Sequence, residues 1–181
     1  GDQNNNSSAN RTIGWIFTTL SNIAVVNLGV WDEAGDGLLG EHLVGIWNSD
    51  GVLLGSVTVQ SGTASTVIGL PTGGGSFRYE QVGPILLTAG ASYTIGALFN
   101  SDDIFEFNAD SVTTGGAIAY GQERYSDEGD GFVMPTDNYG RAGLFGPNFQ
   151  YVLISEPAAA GLFGLGVAGL MLAARRRQRA G

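Results

Sequence analysis

Ahead of residue 157 the chain holds no long stretch in which apolar residues return with the period of about 3.6 that marks a helix. Its apolar residues fall instead into short runs, broken by glycine set beside Asp, Asn, Ser or Thr. Glycine reaches backbone angles that other residues resist, and Asp, Asn and Ser bond their own backbone, so such clusters turn the chain. The 30 glycines carry no triplet period, which excludes a collagen-like chain. Hydrophobic residues make up 43% of the 181, enough for the packed core of one domain. All-β is the fold class these features dictate.

The runs can be placed. Thr12–Leu20 and Ile23–Asp32 are separated only by Ser21 and Asn22, a spacing suited to a tight turn. Glu41–Asn48 and Val52–Gln60 flank Ser49-Asp50-Gly51, a strong hairpin signal in which glycine supplies positive φ. Ser76–Val82, Pro84–Gly90 and Ala91–Phe99 follow; in the last, Tyr93, Ile95, Ala97 and Phe99 share one face. Weaker candidates are Ile104–Asn108, Ala117–Tyr120 and Phe149–Ile154. About eight to ten short strands with frequent turns predict two packed antiparallel sheets, a β-sandwich or jelly roll. Residues 1–10, polar and rich in Asn, read as a flexible or partner-binding arm; 11–154 form the sandwich, and 155–181 a tail. Residues 121–148 are the least regular part and read as a surface excursion of the kind that carries recognition.

Charge divides the chain. Residues 1–154 hold four Arg and sixteen Asp or Glu, a net −12, whereas residues 155–181 hold four Arg and one Glu, a net +3. There is no lysine. So acidic a body repels phosphate backbones, and nucleic acid is excluded as a partner. Cysteine is absent, which removes disulfides, thiolate metal sites and cysteine nucleophiles. The first residue, Gly1 rather than Met, reads as the terminus left when a signal peptide is removed.

Chemistry-bearing residues are few. His42 is the only histidine, so a multi-histidine zinc site is excluded, and no G-x-S-x-G elbow or H-E-x-x-H helix supplies the rest of a mechanism. His42 therefore reads as a structural residue at a strand start, and the chain as a non-enzyme. Two acidic, Gly-rich loops are candidate calcium sites: Asp32 and Asp36 in "WDEAGDG", and Asp127 and Asp130 in "SDEGDG". Calcium takes carboxylate and carbonyl oxygens, and glycine lets backbone wrap an ion; solvated turns use the same residues. Trp15, Trp31 and Trp47 sit within strand-like runs and read as core. Tyr125 and Tyr139, in the irregular region, are the candidates for ligand contact, a sugar ring above all.

The tail has its own physics. Ala158–Ala174 is an uncharged run of 17 residues, at the short end for a membrane-spanning helix, and Arg175, Arg176, Arg177 and Arg179 would hold its far end on the cytoplasmic side. Glu156-Pro157, an apolar Gly/Ala/Leu run and an Arg cluster, in that order, resemble the PEP-CTERM sorting signal of Gram-negative bacteria. Ser155 stands where the first proline of that motif would be. The resemblance implies export, processing near Glu156-Pro157 by an exosortase-type enzyme, transient membrane contact, and delivery to the cell surface or extracellular matrix. The segments "GWIFT", "LGVWDEAGDGLLGEHLVGIWNSDGVLLGSVTV", "FRYEQVGPILLTAGASYTIGA" and "FGPNF" resemble the secreted β-sandwich domain often found ahead of such tails. That similarity implies a non-catalytic module. The expected function is a self-assembling surface or matrix protein, a filament subunit built by strand addition; the alternative is a carbohydrate-binding module that attaches cells to exopolysaccharide.

Overall fold

The computed structural model describes residues 2–5, 10–68, 74–100, 103–107, 114–141 and 143–154. Among them are twelve strands and no helix. In chain order these are β1 (Asp2–Asn5), β2 (Arg11–Thr19), β3 (Ile23–Asp32), β4 (His42–Asn48), β5 (Leu53–Val59) and β6 (Thr66–Val67). They continue with β7 (Ser76–Leu87), β8 (Ser92–Phe99), β9 (Ile104–Phe107), β10 (Ile118–Tyr125), β11 (Leu144–Phe145) and β12 (Pro147–Leu153). One antiparallel sheet has the order β10-β2-β8-β4-β5 and the other β12-β3-β7-β6; a small third sheet has the order β1-β9-β11. The two large sheets share one core, the sandwich-like all-β arrangement that the glycine punctuation predicts. The expected tail helix at 158–174 and the basic end at 175–179 lie outside the described residues.

Alternation explains which side chains enter the core, and bulges explain where the alternation shifts. Ile23 and Val25 are fully buried, then Leu28 and Val30; the phase changes at Val26. There the register between β3 and β7 jumps, placing Val82, Gly83 and Pro84 opposite a single residue. Proline has no N–H to give a ladder, and a bulge is where a strand tolerates it. The two runs expected on either side of Pro84 are thus one bent strand. On β8, Tyr93, Ile95, Ala97 and Phe99 all face the core, as their spacing predicts.

The turn at Ser49-Asp50-Gly51 forms as expected. Asn48 Oδ1 accepts the amides of Asp50 (3.1 Å) and Val52 (2.9 Å), and Gly51 sits at φ +79°. The link at Ser21-Asn22 does not make a hairpin. It carries the chain from β2 in the five-stranded sheet to β3 in the four-stranded one, so each strand can turn an apolar face inward.

The outer face of the five-stranded sheet is not bare. Gly14, Gly96 and Gly45 lie side by side on β2, β8 and β4. A Cβ at Gly45 would stand 2.8 Å from the Phe132 ring, and one at Gly96 would stand 3.3 Å from Pro135. The missing side chains leave a trough that the segment through Phe132 and Pro135 fills. Phe132 also packs against Trp47, with ring centroids 5.0 Å apart. Part of the irregular region is therefore a cover over the sheet rather than an excursion. Within residues 1–10, expected as a flexible or partner-binding arm, Asp2–Asn5 pair antiparallel with β9 of the same chain.

Candidate functional site

Strand directions gather the acidic loops at one end of the sandwich, where three constellations lie. The first is built on Asp32, the last residue of β3. Its Oδ2 accepts a hydrogen bond from Arg78 Nε at 2.6 Å, and the Gly37 amide donates to the same carboxylate at 3.1 Å. Arg78 also donates to the carbonyls of Ser65 (3.3 Å) and Gly35 (3.2 Å). Both charged side chains are buried, at 2% and 4% exposure. Ala34, Gly35 and Gly37 take positive φ to make this wrap. The cation around which the "WDEAGDG" loop closes is thus a guanidinium of the protein itself. Asp36, the second expected ligand, points to solvent.

The second constellation carries the tyrosines. The Tyr125 and Tyr139 rings stack with centroids 4.0 Å apart and planes 8° from parallel. Arg11 lies over Tyr125 at 5.9 Å from its centroid, and Arg141 over Tyr139 at 5.0 Å. A gap of 4.0 Å admits no guanidinium, so Arg141 packs on Tyr139 from outside the pair, while Arg11, which also reaches the Tyr139 hydroxyl, sits at the edge of the two stacked rings. Arg11 further donates to the Tyr139 hydroxyl at 3.1 Å and pairs with Glu128. Loss of water, then the Tyr139 hydroxyl nearby, raise the Tyr125 hydroxyl above its ordinary range.

Glu123 anchors this stack. A register shift in β10 between Tyr120 and Glu123 accompanies its full burial, and Oε1 accepts the amides of Tyr139 (2.8 Å) and Arg141 (3.0 Å). Among the described residues, Glu123 Oε2 and the Tyr120 hydroxyl are buried without a hydrogen-bond partner. Burial, and then the Glu123 charge, push the Tyr120 hydroxyl up to about 12. Gly121, inside an otherwise strand-like run, was the signal in the sequence for this irregularity. Asp127 and Asp130 lie beside the stack with exposed side chains, joined in a turn by the Asp130 amide and the Asp127 carbonyl at 3.3 Å. Among the described residues, no group of three or more His, Asp and Glu is placed to hold a metal ion.

The third constellation is His42 with Asp103, a partner the sequence did not reveal. His42 Nδ1 is 2.8 Å from the Leu98 carbonyl, which can only accept, so this nitrogen carries a hydrogen. Nε2 is 3.0 Å from Asp103 Oδ2, so a proton lies between them; two bare lone pairs would repel. Asp103 also accepts the amides of Leu39 and Gly40, both at 2.8 Å. The ring is sealed from solvent, with both nitrogens engaged by the chain's own groups. It ties the start of β4 to the segment between β8 and β9.

Trp15 is core, stacked on Phe149 at 5.8 Å, while Trp47 is buried beneath Phe132 and Trp31 packs edge-on against Phe77. Glu156, Pro157, Arg175, Arg176 and Arg177 lie outside the described residues. Comparison of the chain with protein-family models, with curated proteins and with solved structures finds no match.

Proposed function

We propose that this chain is a non-enzymatic structural protein of the cell surface or extracellular matrix, a β-sandwich with an apolar sorting tail that assembles with copies of itself. The observation that carries the reading is the pairing of β1. Asp2–Asn5 form a four-residue antiparallel ladder on β9, with Asp2 opposite Phe107 and Asn5 opposite Ile104. A neighbour's β9 would offer β1 the same main-chain partners as the chain's own. Main-chain pairing of this kind gives affinity that depends little on side chains. Repeated from copy to copy, it yields an open filament.

Export follows from the tail, whose apolar run and Arg cluster would be read by an exosortase-type enzyme. A sugar-binding reading is less well supported. Stacking on a sugar needs an open aromatic face, and Tyr125 and Tyr139 each turn one face to the other, with Arg141 packed on Tyr139 as well.

The chain's lack of cysteine makes the test clean. Gln3 and Glu106 are opposite one another in the ladder, at the spacing a disulfide bridges. Chains carrying Gln3→Cys together with Glu106→Cys, oxidised at high concentration, should give a ladder of covalent multimers on a denaturing gel. If only internally closed monomers form at every concentration, the strand stays in its own chain and the assembly reading fails.

A further inference from the structure

The two ends of the sandwich differ in charge. Asp32, Glu33, Asp36, Asp103, Asp127 and Asp130 all lie at one end. The opposite end is made by the links at 20–22, 49–52, 88–91 and 115–117, together with the end of β12. Backbone hydrogen bonds join these links: Leu20 to the Ala117 carbonyl (2.7 Å), Gly90 to the Thr19 carbonyl (2.7 Å), and Ile154 to the Asn22 carbonyl (2.9 Å). Among the described residues of that end, Asp50 is the only charged side chain.

Large apolar side chains stand exposed there. Val152, Ala24 and Leu86 are opposite one another across β12, β3 and β7, and Leu86 is 68% exposed. Leu153 on the edge strand is 65% exposed, and Leu20 and Ile154 are exposed beside it. Leu39, Val67 and Ile68 are exposed at the acidic end too, among charged side chains; at this end, where Asp50 is the one charge among the described residues, the exposed apolar residues mark a contact surface.

The length of chain that follows says what covers it. Only Ser155, Glu156 and Pro157 separate Ile154 from the apolar run that begins at Ala158. Four residue steps reach at most ~14 Å. The headgroup layer is ~5–8 Å thick on each side of a hydrocarbon core of ~30 Å. A helix of the run's 17 residues is ~26 Å long, slightly short for that core, so its flanks are drawn inward. We infer that, while the tail is in place, the sandwich rests on the bilayer by its uncharged end, with Leu20, Leu86, Val152, Leu153 and Ile154 in the headgroup and upper acyl region. The occupant of this surface is lipid, and the acidic loops with the Tyr125–Tyr139 stack face away from the membrane. The inference rests on the tail reading of the proposed function and is independent of strand exchange.

The test uses the full chain in phosphatidylcholine vesicles, with one introduced cysteine labelled fluorescently in each variant. Ser21→Cys and Ala89→Cys report on the uncharged end, Asp36→Cys and Asp130→Cys on the acidic end, and Gly166→Cys on the tail. Labels at 21 and 89 should be quenched by nitroxide-bearing lipid and shielded from aqueous iodide, while labels at 36 and 130 remain open to iodide. Adding Leu86→Gln and Leu153→Gln, both at exposed positions, should restore iodide access at 89. If 21 and 89 are as open to iodide as 36 while lipid quenches the tail label, the orientation is wrong and the tail reading stands. If lipid fails to quench the label at 166, both are wrong. Shielding at 21 and 89 without lipid quenching would mean that a second copy covers this end, which also overturns the inference.

Discussion

Replacing Arg78 by methionine isolates the forces that hold the loop after β3. The variant keeps the aliphatic bulk of the side chain but removes the guanidinium. Asp32 is then a buried carboxylate with only the Gly37 amide left from its present partners, and the carbonyls of Ser65 and Gly35 lose the donors that Arg78 gave them. Breaking a buried pair from one side costs ~3–5 kcal/mol, because the remaining charge stays out of water. For a domain of this size that is a fall in unfolding midpoint of about 6–20 °C. The decisive comparison is the double variant with Asp32→Asn. It removes the stranded charge, preserves an acceptor for Gly37, and leaves chiefly two unpaired carbonyls, a loss of ~1–3 kcal/mol. Urea unfolding followed by tryptophan fluorescence should therefore find the double variant more stable than Arg78→Met alone. If the second substitution instead adds to the damage, the loop is not organised around this ion pair and the reasoning is refuted.

Three further outcomes follow from the same structure. Burial pushes the Tyr79 hydroxyl from 10.0 to about 12. Well below pH 10 neither state loses this proton; between about 10 and 12 the unfolded chain ionises first, so stability falls by about 3 kcal/mol and then levels. Tyr79→Phe should abolish that part of the alkaline loss in pH-dependent urea melts. Glu123→Ala strips the acceptor from the Tyr139 and Arg141 amides and should cost ~1–3 kcal/mol, with faster hydrogen exchange at residues 139 and 141 as the local signature. Gly45→Val would drive a side chain into Phe132; a loss of ~1–3 kcal/mol with a red-shifted Trp47 emission would show the cover lifting from the sheet.

What could be read in advance was local. The Asn48–Gly51 turn and the inward face of β8 depend on neighbours within a few residues, and both form as their residues dictate. The link at Ser21-Asn22 could not be read the same way, because two residues suit a hairpin or a crossing between sheets, and packing chooses between them. Pro84 read as a break because proline lacks a ladder donor, whereas a bulge accommodates it inside β7. The glycine trough was hidden in principle: Gly14, Gly45 and Gly96 become a row only once three strands are in register. The same limit governs the candidate site. Tyr125 and Tyr139 were recognisable by type, but the arginines packed against them, Arg11 and Arg141, come from distant parts of the chain. The pairing of Asp32 with Arg78 could not be read in advance, because the two lie 46 residues apart.

The β1–β9 ladder has a consequence for when assembly would begin. Exchange between copies replaces one set of backbone bonds by an identical set, so contact energy cannot decide between closed and shared forms. Concentration decides. Joined to β2 by only a few residues, β1 sees its own β9 at an effective concentration on the order of millimolar, the value typical of short linkers. Dilute copies would stay closed and inert. Crowded copies would approach that threshold and open into one another, so that polymer would form only where the chain is concentrated.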